Sequence, residues 1–582
     1  MLVTNRLAHH RKLPLLAIPL LALGMGAPAY GAEDATTSAA APATAPSAQD
    51  RSPASPSLTS GAPPPIPPTS ASSAAAPVAV KRVVYLPEAE KARLREEIKA
   101  EVLAQAKEER WAAPGAFPEW LRRLHLRGDI RARWERDLFG AGNTSDGGAF
   151  PDFNAINTGK PFDVAFIDIA NERYLNVDQN RSRPRLRARL GVDADVGQGF
   201  AAGLHLASGD GSSPVSTNQT LGGSPGDFSK YQVWIDRASI RYEYAPPAVG
   251  ALAVSVGRLE NPFFATELLW DHDLSLDGVA LRATFPLPAG VTPFVTAGAF
   301  PVYTSIFNFP PEQPAKFRSL DRWLYAVQLG ADWKPVHRLN VKLGAALYYF
   351  DKIEGRRSGP CDTNLKDHFC DTDESRPAFA QKGNTYMALR RPSDAALVAE
   401  ATAPVDKPVS RYQFFGLASR FRPIALTARV EYVLAPPLKV AVDGEVVRNV
   451  GFSRKQISAV VDGEMLALNN RDHCDASGNC HHFAGGRDGY LARLTVGSPT
   501  QGKQWDWSAS LAYRRLESDA VVDAFTDSDF GLGGTNLKGY HLEAALAVAD
   551  GVVASARWLS ADAIVGPTYG ADVLMFDLSA RF

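Results

Sequence analysis

Three observations predict an all-β chain, a 16-stranded antiparallel transmembrane β-barrel with a short N-terminal periplasmic helix. The first is the stretch LHLRGDIRARWER, 124–136. Leu124, Leu126, Gly128, Ile130, Ala132 and Trp134 share one parity; His125, Arg127, Asp129, Arg131, Arg133 and Glu135 share the other. Strand side chains alternate between faces, so the segment has one apolar face and one densely charged face. The second is its recurrence at 183–195, where Arg183, Arg185, Arg187, Arg189, Asp193 and Asp195 alternate with Leu186, Ala188, Leu190, Val192 and Ala194. Ala and Gly make a poor protein core but suffice against lipid, which suits a barrel that is apolar outside and polar inside. A water-exposed sheet over a protein core is the competing reading of these two segments taken alone. The third observation is that connections between strand-like segments alternate between long and short.

The whole chain narrows the class further. It has 582 residues, a net charge of −1 and four cysteines, so neither bulk attraction to nucleic acid nor a disulfide scaffold is implied. After residue 30 no apolar run is long enough for a membrane helix. Residues 1–32 read as a cleaved signal peptide. Arg6, His9, His10, Arg11 and Lys12 make its basic region, 13–23 its apolar region, and Ala27, Ala29, Gly31 and Ala32 its small-residue end. Residues 33–86, rich in Ala, Pro and Ser, bury too little to fold and form a disordered spacer. A periplasmic helix follows over 87–112, with Pro87 in its first turn and Lys107 and Arg110 late. Its stripe of Leu94, Ile98 and Val102 would serve either a short coiled coil or a solvated helix on the barrel rim.

The barrel occupies 120–582. Strands are expected at about 124–136, 183–195, 200–208, 231–244, 251–258, 276–285, 291–300, 323–334, 339–350, 424–433, 438–447, 488–497, 504–516, 538–549, 551–560 and 570–582. Both termini then lie at the short-turn end. Residues 412–421 could make a seventeenth strand. An odd count would put the ends on opposite sides and Pro423 does not suit a central strand, so 412–423 is assigned to the end of an outer loop or to an extension of the next strand. Trp134, Tyr242, Tyr244, Trp323, Trp333, Tyr348, Tyr349, Trp505, Tyr513 and Trp558 fall near strand ends, as interfacial girdles require. In the last strand Leu574, Phe576, Leu578, Ala580 and Phe582 share a face.

Within the outer loops, Cys361/Cys370 and Cys474/Cys480 form two local pairs that read as disulfides. Cys474, Asp475, Cys480, His481 and His482 also carry zinc-ligand chemistry, but their spacing is weak and no metal site is assigned. The acidic clusters at 362–373 and 519–529 read as solvated loop faces, with cation binding as the alternative. No nucleophile elbow, phosphate loop or paired-carboxylate motif stands out, and no cofactor is implied.

LHLRGDIRARWE, NRSRPRLRARLG, GRLENPFFATELLWDHDLSLDGVAL, TDSDFGLGGTNLKGY and the closing LSARF together resemble the Putative porin family of Gram-negative outer-membrane proteins, general-porin-like in layout. The resemblance covers the mature chain from about Pro87. It implies a passive, water-filled channel for small hydrophilic solutes and ions, a homotrimer, a location in the outer membrane against lipid and lipopolysaccharide, and no catalytic residues. A terminal Phe582 resembles the signal read by the barrel assembly machinery. Two other classes stay open: an outer-membrane barrel enzyme of phospholipase or protease type, and a barrel-anchored envelope tether. The third long loop is where general porins narrow the channel. Here it carries Glu260, Glu267, Asp271 and Asp273, and the facing wall residues are Arg127, Arg131, Arg133, Arg185, Arg187, Arg189, Arg237, Arg241 and Arg282. Acid opposite arginine would set a transverse field, and the arginine excess would favour anions modestly.

Overall fold

A computed structural model describes residues 93, 96–98 and 119–582, apart from 145–149, 166–173, 210, 225, 247–249, 306–318, 405–408, 465–468, 472–481 and 499. The chain divides into two units, Met1–Glu97 and Ile98–Phe582. In the first, Arg93, Glu96 and Glu97 are helical and exposed. The signal peptide, the spacer, most of the 87–112 helix and the Cys474/Cys480 pair lie outside the described residues.

The second unit is a closed barrel. Its strands are β1 (Leu124–Phe139), β2 (Arg181–Gly197), β3 (Phe200–Ser208), β4 (Val233–Tyr244), β5 (Ala251–Glu260), β6 (Ser275–Thr284), β7 (Val291–Tyr303), β8 (Arg322–Val336), β9 (Leu339–Asp351), β10 (Pro423–Ala435), β11 (Leu438–Asn449), β12 (Asp488–Gly497), β13 (Trp507–Leu516), β14 (Leu537–Ala549), β15 (Val552–Ala563) and β16 (Gly570–Arg581). Each pairs antiparallel with its sequence neighbour. The ring closes because β1 pairs on one side with β2, through Ile130 and Ala188, and on the other with β16, through Ile130 and Ala580. Closure gives each barrel strand a partner on both sides, as a lipid environment demands. Gln219–Thr220 adds a two-residue strand against Arg185 and Leu186 of β2.

The parity of β1 is borne out in the solvent exposure. Leu126, Ile130 and Trp134 face outward and are exposed, whereas Asp129, Arg133, Glu135 and Asp137 face inward and are buried. Pro423 begins β10 opposite Asn449, at a strand's first residue, where a missing N–H does least harm. Residues 412–421 stay in the loop, as Tyr412–Gln413 and Phe415–Leu417 pair with other loop segments. Tyr348 departs from the girdle assignment. It is fully buried and faces inward beside Phe263 and Trp270, while its neighbour Tyr349 faces out. Adjacent residues of a strand cannot both face lipid.

Eight connections leave one end of the barrel, all but the last longer than any turn at the other end: L1 (140–180), L2 (209–232), L3 (261–274), L4 (304–321), L5 (352–422), L6 (450–487), L7 (517–536) and L8 (564–569). Five of them share an apolar core with the inner wall, L2 contributing Val215. It contains Phe153 and Ile156 of L1, Leu268 and Trp270 of L3, Tyr386 and Phe415 of L5, Val521 and Val522 of L7, and Phe300 and Phe350 of the wall. Phe153 stacks on Tyr386 at 4.1 Å, and Asn157 of L1 clamps the backbone of Phe415 by donating to its carbonyl and accepting from its N–H. L7 reaches L5 closely enough to need glycine. Gly533 and Gly534 have φ of +89° and +93°, and a Cβ on Gly534 would lie 2.0 Å from the Lys382 carbonyl oxygen. Cys361 and Cys370 of L5 are joined as a disulfide.

Candidate functional site

L3 does not stay at the rim but enters the lumen, and local turns start that path. The Asn261 side chain accepts from the Phe263 N–H, Thr266 Oγ1 from the Leu268 N–H, and the Asp271 carboxylate from the Asp273 N–H at 2.7 Å. Each short polar side chain bends the backbone after it and leaves the intervening apolar residues free to bury.

The loop is held on both sides of the barrel. Gln328 of β8 brackets Phe264, accepting from its N–H at 2.8 Å and donating to its carbonyl at 2.7 Å. Glu445 of β11 accepts from the N–H and hydroxyl of Thr266 and from Thr427 of β10. Glu267 pairs with Arg493 of β12. Asp271 then meets L7, donating its N–H to the Phe525 carbonyl and accepting from the Ser528 N–H. Asp273 accepts from Thr217 of L2 and lies 3.4 Å from Arg189 and 3.7 Å from Arg187 of β2. The segment therefore runs from contacts on β8, β11 and β12 to contacts on β2.

The wall arginines are densely paired. Arg133 makes a two-pronged contact with Asp577 of β16 at 2.8 and 3.0 Å, and Asp529 of L7 lies 3.4 Å away. Arg557 of β15 holds the same Asp529 at 3.1 Å. Arg183 and Arg185 share Glu135, and Arg187 and Arg189 share Asp129. Arg131 donates to Asn218 of L2 at 2.5 Å. Arg127 pairs with Asp193, Arg237 with Glu260 and Arg241 with Glu243. Arg282 stands 5.6 Å over the Phe294 ring. Of the four acids assigned to the constriction loop, Glu267, Asp271 and Asp273 lie on L3, while Glu260 is the last residue of β5 and largely exposed. Glu267 and Asp273 touch arginine directly rather than facing it across open space.

Sequence reasoning placed Asp129 and Glu135 on the polar face and Asp529 in an acidic cluster without pairing them, and missed Asp577 and the cations Arg493 and Arg557. It also misread the 519–529 cluster, whose first two acids, Asp519 and Asp523, are buried. Asp519 accepts from the Thr385 N–H and hydroxyl, and Asp523 from the Tyr386 hydroxyl at 2.8 Å. Burial pushes the Asp519 carboxyl up to about 6 and that of Asp523 up to about 7. Burial likewise pushes the Lys382 ammonium down to about 7, where it donates to the Gly533 carbonyl at 2.8 Å. The signal for this burial was present in the apolar run Ala520-Val521-Val522, which a solvated loop does not need. The 362–373 cluster is also partly buried, since Asp373 forms a two-pronged pair with the buried Arg390.

Two cavities flank L3. One, of about 380 Å³, is lined by Arg131, Arg187, Arg493, Arg557 and Arg581 and by seven carboxylates, among them Glu267, Asp271, Asp273, Asp529 and Asp577. The other, of about 680 Å³, is lined by Arg127, Arg237, Arg241, Arg282 and Lys342 against only Asp193 and Glu260. The described residues contain no cluster of three or more metal-ligating side chains. L3 thus lies between an acidic and a basic compartment of the lumen.

Comparison with known proteins gives one family match and several low-similarity solved structures. No curated protein matches the chain. Solved structures similar to it include OprB of Pseudomonas putida, with 12% identity and a TM-score of 0.39 over 80% of this chain and 96% of that one. The outer membrane channel DcaP of Acinetobacter baumannii matches with 10% identity and a TM-score of 0.35 over 79% of this chain and 97% of that one. An anion-selective porin from Comamonas acidovorans matches with 8% identity and a TM-score of 0.30 over 79% and 99%. The family model described as Putative porin matches residues 29–582, nearly the whole chain. With the closed barrel, the charged lumen and the loop laid through it, that match establishes that the chain belongs to the Putative porin family of outer-membrane channels.

Proposed function

We propose that this porin is a passive, water-filled diffusion pore of the Gram-negative outer membrane, in which L3 forms the constriction and its acids act with the wall arginines to sort solutes by charge. The observation that carries this reading is L3 itself, pinned to Gln328, Glu445 and Arg493 on one side and to Arg187, Arg189 and Thr217 on the other. A loop so held keeps a fixed bore, and its charges stay where a passing solute must meet them. The chain reaches the membrane after removal of a signal peptide within 1–32, is recognised by the barrel assembly machinery through Phe582, sits among lipid and lipopolysaccharide, and works as a homotrimer. Outward-facing Ala132, Ala188 and Ala238 let neighbouring walls approach.

Reversal potentials in a salt gradient across a planar bilayer test the charge roles. Replacing Arg185, Arg187 and Arg189 by serine leaves Asp129 and Asp273 without an arginine, while Glu135 keeps Arg183, and moves the potential toward cations. Neutralising Glu267 and Asp271 moves it toward anions. Both shifts shrink at 1 M salt, where the Debye length is about 3 Å. If both variants keep the parent's potential and conductance, neither set of charges lines the constriction.

A further inference from the structure

We propose that Arg282 and Lys342, set against Phe264 and Phe294, form a binding subsite for small organic anions, a carboxylate carried on an apolar body, within the basic cavity beside L3. The proposal rests on the pore reading and adds a ligand class and a place to it.

Charge gives the first argument. Of the five cations lining this cavity, Arg127, Arg237 and Arg241 each have a carboxylate within 2.7 Å. Arg282 and Lys342 form no ion pair with any carboxylate among the described residues. Asp332 is the cross-strand neighbour of Lys342 in the β8–β9 ladder, yet the two are not paired. Arg429, opposite Lys342 on β10, is itself occupied by Glu431 at 2.8 Å and Asp443 at 3.5 Å. Two uncompensated cations thus face one lumen compartment, where an anion can neutralise both.

The aromatic rings give the second. The Lys342 ammonium lies 4.3 Å from the Phe264 ring centre and 5.6 Å from that of Phe294, and the Arg282 guanidinium lies 5.6 Å from the same Phe294 ring. The Phe294 ring lies within cation–π range of both cations, and such attraction does not cancel their charge. Phe263, Phe264 and Phe294 line the same cavity and offer apolar surface next to the cationic pair. A carboxylate with an apolar body satisfies both features, whereas chloride satisfies only one.

The backbone gives the third. Gly330 and Gly344 are directly paired between β8 and β9, and Gly330 is also opposite Phe294 on β7. A Cβ on Gly330 would lie 2.2 Å from the end of the Phe294 ring, and one on Gly344 would lie 3.2 Å from Phe264. The wall lacks side chains where the two rings rest. Gln328 of the same wall fixes Phe264 through both its backbone polar groups. The rings are seated in a prepared place.

The test uses the full-length protein in planar bilayers, with benzoate as the organic anion and acetate as the control of equal charge. Benzoate added to a chloride solution should reduce the chloride current saturably in the parent, while acetate at the same concentration leaves it nearly unchanged. The double variant Arg282→Gln/Lys342→Gln should weaken the benzoate effect about tenfold or more, equivalent to about 1.4 kcal/mol. Phe264→Leu changes only a loop side chain, so barrel closure does not depend on it; it should weaken benzoate and bring its effect close to that of acetate. A parent that conducts but treats benzoate and acetate alike overturns the subsite and leaves the pore reading standing. Undiminished benzoate block in Phe264→Leu or in the double variant overturns it as well. A parent that gives no conductance steps overturns the pore reading itself.

Discussion

At the residue scale, the inner wall is stabilised by ion pairs that work only as sets. Arg133 is almost fully buried, and its charge is matched by Asp577 first and Asp529 second. Removing one partner of a buried pair strands the other charge, at a cost of about 3–5 kcal/mol. Asp577→Ala should fall near the lower end, because Asp529 stays 3.4 Å away. Chemical denaturation of the barrel in lipid or detergent measures it. A loss below about 1 kcal/mol would mean that Arg133 escapes to water. The arginines themselves were legible in the sequence, since Arg127, Arg131 and Arg133 share the polar parity of one strand. Their partners were not. Asp129 and Glu135 lie on the same strand as those arginines, but they serve β2, and which cross-strand residue each meets is set by register.

At the scale of elements, L5 and L7 form a clamp with opposed titrations. Asp519 and Asp523 have raised carboxyl values, so the folded clamp holds protons that the unfolded loop has released between about 4 and about 7. Their unfavourable contribution is absent in acid and grows as pH rises to about 7. Lys382 is lowered to about 7 against an ordinary value of 10.5, so its unfavourable contribution is absent above 10.5 and grows as pH falls to about 7. The two effects together place a minimum of clamp stability near pH 7. Hydrogen exchange of L7 amides from pH 4 to 10, corrected for intrinsic rates, should show least protection near neutrality. Asp523→Asn should flatten the acidic limb and Lys382→Met the alkaline one. Protection that rises or falls steadily through the whole range contradicts the assignment. Strands announced themselves by a period of two and by proline and glycine at their ends, but nothing periodic marks a loop that folds inward. The apolar residues Leu268-Leu269-Trp270 and Ala520-Val521-Val522 were the available clue, and only tertiary packing decides what they meet.

At the scale of the whole molecule, the last residue helps close the ring. Phe582 exchanges backbone hydrogen bonds with Gly128 at 2.8 and 3.0 Å, and its ring covers that glycine so closely that a Cβ there would lie 2.6 Å from it. Gly128→Val should lower the temperature at which the barrel loses its compact gel mobility, and Phe582→Ala should lower the yield of inserted barrel. An unchanged melting temperature for Gly128→Val would show that the ring simply turns aside into lipid. In the proposed function, L3 is the constriction of a water-filled channel. Single-channel conductance in a planar bilayer tests it most directly, comparing the parent with a variant whose residues 263–272 are replaced by a short Gly-Ser bridge. The parent should give discrete ohmic steps, and the variant steps of several times the parent's size with weaker charge selectivity. Equal steps from a correctly folded variant, or none from a correctly folded parent, would contradict the account.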